Sequence, residues 1–132
     1  MRELIRREGL ADRYEIASAA TSSEELGNPV YPPVSRLLRE HGIDCSKKTA
    51  RRLCREDYAL YDLLIGMDRQ NLRNMERICG GDPEGKFRLL MACAGEQRDL
   101  ADPWYTRDFR ACWKDIGRGC RGLLNRLEGR ED

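Results

Sequence analysis

Only one histidine, His41, and no Cys-x-x-Cys pair occur among the 132 residues, so the ligand spacings of a structural zinc site are missing. No metal and no other cofactor is expected. A run approaching the ~20 apolar residues of a membrane-spanning helix is also lacking, and with 36% of residues charged no membrane partner is expected. Charge of one sign is in short supply: the formal net charge is +1, which provides no field to gather phosphate backbones, so nucleic acid is not an expected partner. The opening residues do not carry a basic stretch, an apolar run and a small-residue cleavage site in succession. A reducing cytoplasm is therefore the expected location, with Cys45, Cys54, Cys79, Cys93, Cys112 and Cys120 as thiols rather than a disulfide framework.

What is present is enough for one core. The length predicts a single domain over 1–132. Residues 2–8 read as a helix stopping at Gly9, with no Ser, Thr, Asp or Asn ahead to cap its amides. Residues 14–21, YEIASAAT, read as a short strand covered on both faces. Pro32-Pro33 fit the first turn of a helix running to His41-Gly42, where the histidine faces the negative end of the helix dipole. A short helix or turn over 55–62 feeds LLIGM, 63–67, a buried-strand signal. Leu72, Met75 and Ile78 then recur at helical spacing, the loop 80–85 follows, and KFRLLMA, 86–92, reads as a third strand. A last helix is predicted over 106–127 with an apolar stripe of Phe109, Trp113, Ile116, Cys120, Leu123, Leu124 and Leu127. This alternation predicts an α/β fold, a parallel sheet with helices on both faces.

The order and spacing of TSSEELGNPVYPPVSRLLREHGI, TARRL, REDYALYDLLIGMD, NLRNM, GGDPEGKFRLLM and DLADPWYTRDF resemble the low-molecular-weight protein tyrosine phosphatases, from about Leu4 to Leu127. Members of that family use a phosphate loop, Cys-x-Gly-x-x-Cys-Arg-Ser, between the first strand and first helix. Its cysteine attacks phosphorus, its arginine and amides hold the phosphoryl oxygens, and a downstream aspartic acid protonates the leaving phenol. The resemblance places Asp102 as that general acid and Trp104 and Tyr105 as the aromatic wall beside the substrate ring. It implies a phosphotyrosine-containing protein or an aryl phosphate as substrate. Pro103 would stiffen the acid's loop.

The first central strand and the phosphate loop have no counterpart in the chain, and no nucleophile is assigned. Three Cys-x5-Arg spacings occur: Cys45 to Arg51, Cys112 to Arg118 and Cys120 to Arg126. None lies between a buried strand and a helix, and the first has no glycine to bring amides close to a phosphate. Where many relatives have an aromatic residue after the second strand, Ser23-Glu24-Glu25 would make the rim acidic, with Tyr31 as a second aromatic candidate. Three functions stay open: a tyrosine phosphatase short of its nucleophile segment and inactive as it stands, a non-catalytic phosphatase-like binding module, and a catalyst with an unrelated nucleophile, for which no site is visible. The strand order implied by the resemblance leaves strand edges exposed beside 14–20 and 63–67, and self-association through them is expected.

Overall fold

The computed structural model describes residues 1–21, 32–45, 51–101 and 108–130, and divides into two units, Met1–Leu53 and Cys54–Asp132. In the first unit, α1 (Arg2–Arg7) starts from Met1 without a side-chain cap. Glu3 in its first turn is bonded by Arg6 and by Arg7, the latter at 3.0 Å, while Ile5 is buried. Helix α2 (Pro32–Glu40) opens on the two prolines, whose missing N–H groups cost nothing in a first turn, and buries Leu37.

The expected strand at 14–21 does not form. Only Ala20 is paired, in an isolated parallel bridge with Arg52, its amide donating to Arg51 O at 2.7 Å and its carbonyl accepting from Leu53 at 2.8 Å. Glu15 and Ala17 to Ala19 are exposed rather than covered. Small residues carry too little apolar surface to hold a strand without a ladder along its length.

In the second unit, α3 (Arg55–Leu60) is capped by Cys54, whose amide donates to Asp57 Oδ2 at 2.9 Å. Strand β1 (Leu64–Gly66) leads to α4 (Arg69–Cys79), which crosses to β2 (Phe87–Leu89); the strands run parallel with Leu64 opposite Phe87 and Gly66 opposite Leu89. The fold class is the α/β parallel arrangement expected, with two strands among the described residues instead of three. The run 86–92 is strand only to Leu89, then turns into α5 (Leu90–Cys93), which buries Leu90, Met91 and Cys93. A short all-apolar run has no periodicity to separate strand from helix.

Helix α6 (Phe109–Leu127) begins at its Asp108 cap, three residues later than expected; 106 and 107 lie outside the described residues. Its buried seam is Gly119, Cys120, Gly122 and Leu124, while Leu127, expected in the stripe, is 41% exposed. The glycines are there for close approach to α5. A Cβ on Gly122 would stand 2.0 Å from Cys93 O, and one on Gly119 2.5 Å from Leu90 Cγ.

Candidate functional site at the end of β1

In parallel α/β sheets, ligand sites gather at the carboxyl ends of strands. At that end of β1, Asp68 caps α4, its side chain accepting from Asn71 N at 2.7 Å, and Asn71 Oδ1 accepts from Met67 N at 3.0 Å. Leu72 closes over Gly66, where a Cβ would meet Leu72 Cδ2 at 2.9 Å. The Met-Asp-x-x-Asn-Leu pattern thus encodes one rigid turn: a cap, a return bond and a lid over a residue that has no room for a side chain.

A second segment is tied to this turn. Leu100 N donates to Met67 O at 2.9 Å, and Arg69 N donates to Asp99 Oδ1 at 3.0 Å. The Arg69 guanidinium donates to Gln97 O at 3.1 Å and lies 3.5 Å from Asp99. Residues 97–100 therefore form a strap across the carboxyl end of β1, with Leu100 buried and Ala101 exposed. Asp102, Trp104 and Tyr105 follow directly, and all three lie outside the described residues, as do Ser23, Glu24, Glu25 and Tyr31. Asp108, the next described residue, accepts from Ala111 N at 3.0 Å through its side chain.

Three of the described thiols are shifted, and all three away from a nucleophile's direction. Hydrogen bonding to Glu56 and Asp57 raises Cys54, and burial raises Cys79 and Cys93, whereas a nucleophilic cysteine has its thiolate favoured. Cys45, the head of the first Cys-x5-Arg spacing, is half-buried and donates to Ser35 Oγ at 3.5 Å; residues 46–50 lie outside the described set. Cys112 and Cys120 sit within α6. His41 closes α2, its Nδ1 donating to Leu37 O at 2.9 Å, as a helix-terminal histidine would. Among the described residues no group of three His, Cys, Asp or Glu side chains is placed to hold a metal ion, and no helix is long and apolar enough to cross a membrane.

Sequence reasoning missed Arg69, Asn71 and Asp99. The only local signal for Asn71 is its spacing three residues after a capping aspartate, and nothing local marks Asp99 as the acceptor for an amide 30 residues away.

A family model described as low molecular weight phosphotyrosine protein phosphatase matches residues 1–131. The chain is 32% identical over 130 residues to the low molecular weight phosphotyrosine protein phosphatase of Rattus norvegicus, covering 95% of this chain and 82% of that protein. It is 28% identical over 130 residues to the low molecular weight protein-tyrosine-phosphatase YfkJ of Bacillus subtilis. The crystal structure of YfkJ superposes with a TM-score of 0.91 over 99% of this chain and 84% of that one, at 26% identity. A low molecular weight protein tyrosine phosphatase from Streptococcus pyogenes superposes with a TM-score of 0.80 over 89% of this chain and 75% of that one, at 30% identity.

Proposed function

From a chain that belongs to the low molecular weight phosphotyrosine protein phosphatase family, we propose a protein tyrosine phosphatase scaffold whose 132 given residues carry the general acid and the substrate wall but not the nucleophile loop. Asp102 is the proton donor to the leaving phenolate, and Trp104 and Tyr105 flank the phenyl ring. The substrate is a phosphotyrosine-containing protein or an aryl phosphate, met in the cytoplasm. The observation that carries this reading is the strap: Leu100, two residues before Asp102, is bonded to the carboxyl end of β1, where α/β folds assemble their chemistry.

No Cys-x-Gly-x-x-Cys-Arg-Ser occurs in the 132 residues, and a general acid alone supplies about 10² to 10⁴ of the far larger acceleration that a phosphatase needs. These 132 residues by themselves therefore do not turn over p-nitrophenyl phosphate. Hydrolysis at ordinary phosphatase rates that Cys45→Ser abolishes would overturn the proposal. With a nucleophile loop supplied, Asp102→Asn slows phenyl phosphates with poor leaving groups more than activated ones, because only the former need a proton in the transition state. Equal loss across the series would remove Asp102 from the role.

Self-association belongs to the same proposal. In a parallel ladder that runs from Leu64 N to Lys86 O at 3.0 Å, Leu64 and Gly66 bond toward β2, and Ile65 turns its N–H and carbonyl to the opposite side. That edge is the one offered to a further strand.

A further inference from the structure

Four charged side chains close a ring between the strap and α6. Glu96 and Arg98 precede Asp102, and Asp115 and Arg118 lie on α6 beyond it. Arg98 Nε is 3.1 Å from Glu96 Oε1, and Arg98 Nη2 is 3.2 Å from Asp115 Oδ1. Arg118 Nη1 is 3.6 Å from Asp115 Oδ1, and Arg118 Nη2 is 2.5 Å from Glu96 Oε2. Each carboxylate touches both guanidiniums, and each guanidinium both carboxylates. Glu96 Oε2 is buried and makes no regular hydrogen bond, so the Arg118 ion pair is what offsets its desolvation. The pairing with Arg98, reinforced by Arg118, holds the Glu96 carboxyl below its ordinary range.

We propose that Arg98 and Arg118 are positioning residues for the general acid: through Glu96 and Asp115 they fix residues 96–100, and with them the chain two residues ahead of Asp102. This rests on the role given to Asp102 above. The ring anchors the strap to α6, and Arg69 anchors it to α4 through Asp99 and Gln97 O. Both anchors lead to one backbone bond, Leu100 N to Met67 O. Lone ion pairs this exposed contribute little, but a closed network around a buried carboxylate oxygen loses more than one pair when a member is removed. The ring has no net charge, so its work is orientation rather than attraction of an anion.

The amide of Leu100 is the readout, since its exchange with deuterium reports opening of the strap itself. In the 132-residue protein, Arg118→Ala should speed Leu100 exchange about tenfold while the β1 amides of Leu64 and Gly66 keep their protection. Arg118→Lys should restore most of the loss, and in the unchanged protein raising salt from about 0.05 to 1 M should speed Leu100 selectively. The salt series keeps the test alive should Arg118→Ala fail to fold. Unchanged Leu100 exchange, or equal acceleration at Leu64, Gly66 and Leu100, would overturn the assignment. The leaving-group series on Asp102→Asn tests the general acid separately, so a strap that responds alongside a silent Asp102 would sink the catalytic reading and leave the ring intact as an anchor of the strap.

Discussion

Two stretches without regular structure, residues 10–20 in the first unit and 80–86 in the second, differ in how they are held. The second is gathered around one carboxylate. Tyr58 Oη donates to Asp82 Oδ1 at 2.7 Å, Lys86 N to the same oxygen at 2.7 Å and Phe87 N to Oδ2 at 3.1 Å. Tyr58 Oη in turn accepts from Glu84 N at 2.7 Å, and Lys86 Nζ lies 4.7 Å from the Tyr58 ring centroid. In the first stretch, the Arg2 guanidinium donates to Ile16 O at 2.8 Å and Arg13 N to Leu10 O at 2.9 Å, with no comparable hub among the described bonds. The order of residues 80–86 comes from an acceptor that collects several backbone donors, not from β-propensity: the sequence reading assigned a strand to the first stretch and a plain loop to the one built on that acceptor.

Packing sets the upper end of the scale against which such bonds are measured. Gly122→Val puts side-chain atoms into the Cys93 carbonyl, which backbone cannot yield, and should cost about 3 kcal/mol or more in chemical denaturation. Next comes Asp82→Ala, which strands the Lys86 and Phe87 amides together; at about 1 to 3 kcal/mol per unsatisfied buried group, a loss near 2 kcal/mol is expected. Ser18→Ala, in the exposed first stretch, should fall within about 0.5 kcal/mol of the unchanged protein. Equal losses at Asp82 and Ser18 would break the comparison.

Legibility followed the same division. Helix α4 could be read from Leu72, Met75 and Ile78 at helical spacing and from the loop that follows at 80–85; the structure adds the Asp68 cap and Gly80 as its end at φ 79°. Strand β1 and the opening and closing of α2 were equally plain, since Pro, Gly and apolar runs act locally. The α5–α6 seam was not, because Gly119 and Gly122 contribute by having no side chain, and an apolar stripe counts only side chains. Of the candidate site, Asp102, Trp104 and Tyr105 carry a motif but lie outside the described residues, and the residues joined only in three dimensions were missed. Arg69, Asp99 and the ring of Glu96, Arg98, Asp115 and Arg118 look like ordinary surface charge until the strap brings them together.

Acid sharpens the contrast between the two units with the smallest expected effect. Partial burial works against ionisation of Asp82, but the Tyr58 hydroxyl and the Lys86 and Phe87 amides outweigh it and hold the carboxyl below its ordinary range. Bonding to Arg6, against partial desolvation and with help from Arg7, brings Glu3 down to about 2 from 4.5. Both groups are depressed in the folded chain, so each contributes stability above its unfolded value and loses it as pH falls toward the folded one. For Glu3 that window runs from about 4.5 down to about 2. The partners differ in kind: Asp82 is held mainly by neutral donors, Glu3 by arginines 67% and 60% exposed. At about 1 M salt the screening length shrinks to about 3 Å, so the ion pairs of α1 should lose most of their pH dependence while the Asp82 turn keeps its own. Amide exchange at Ile5 and Phe87, followed from pH 5 to 2 at about 0.05 and 1 M salt, reads both. If the response at Phe87 faded with salt as much as that at Ile5, the turn would be held by charge rather than by directed donors, and the distinction between the two stretches would fall.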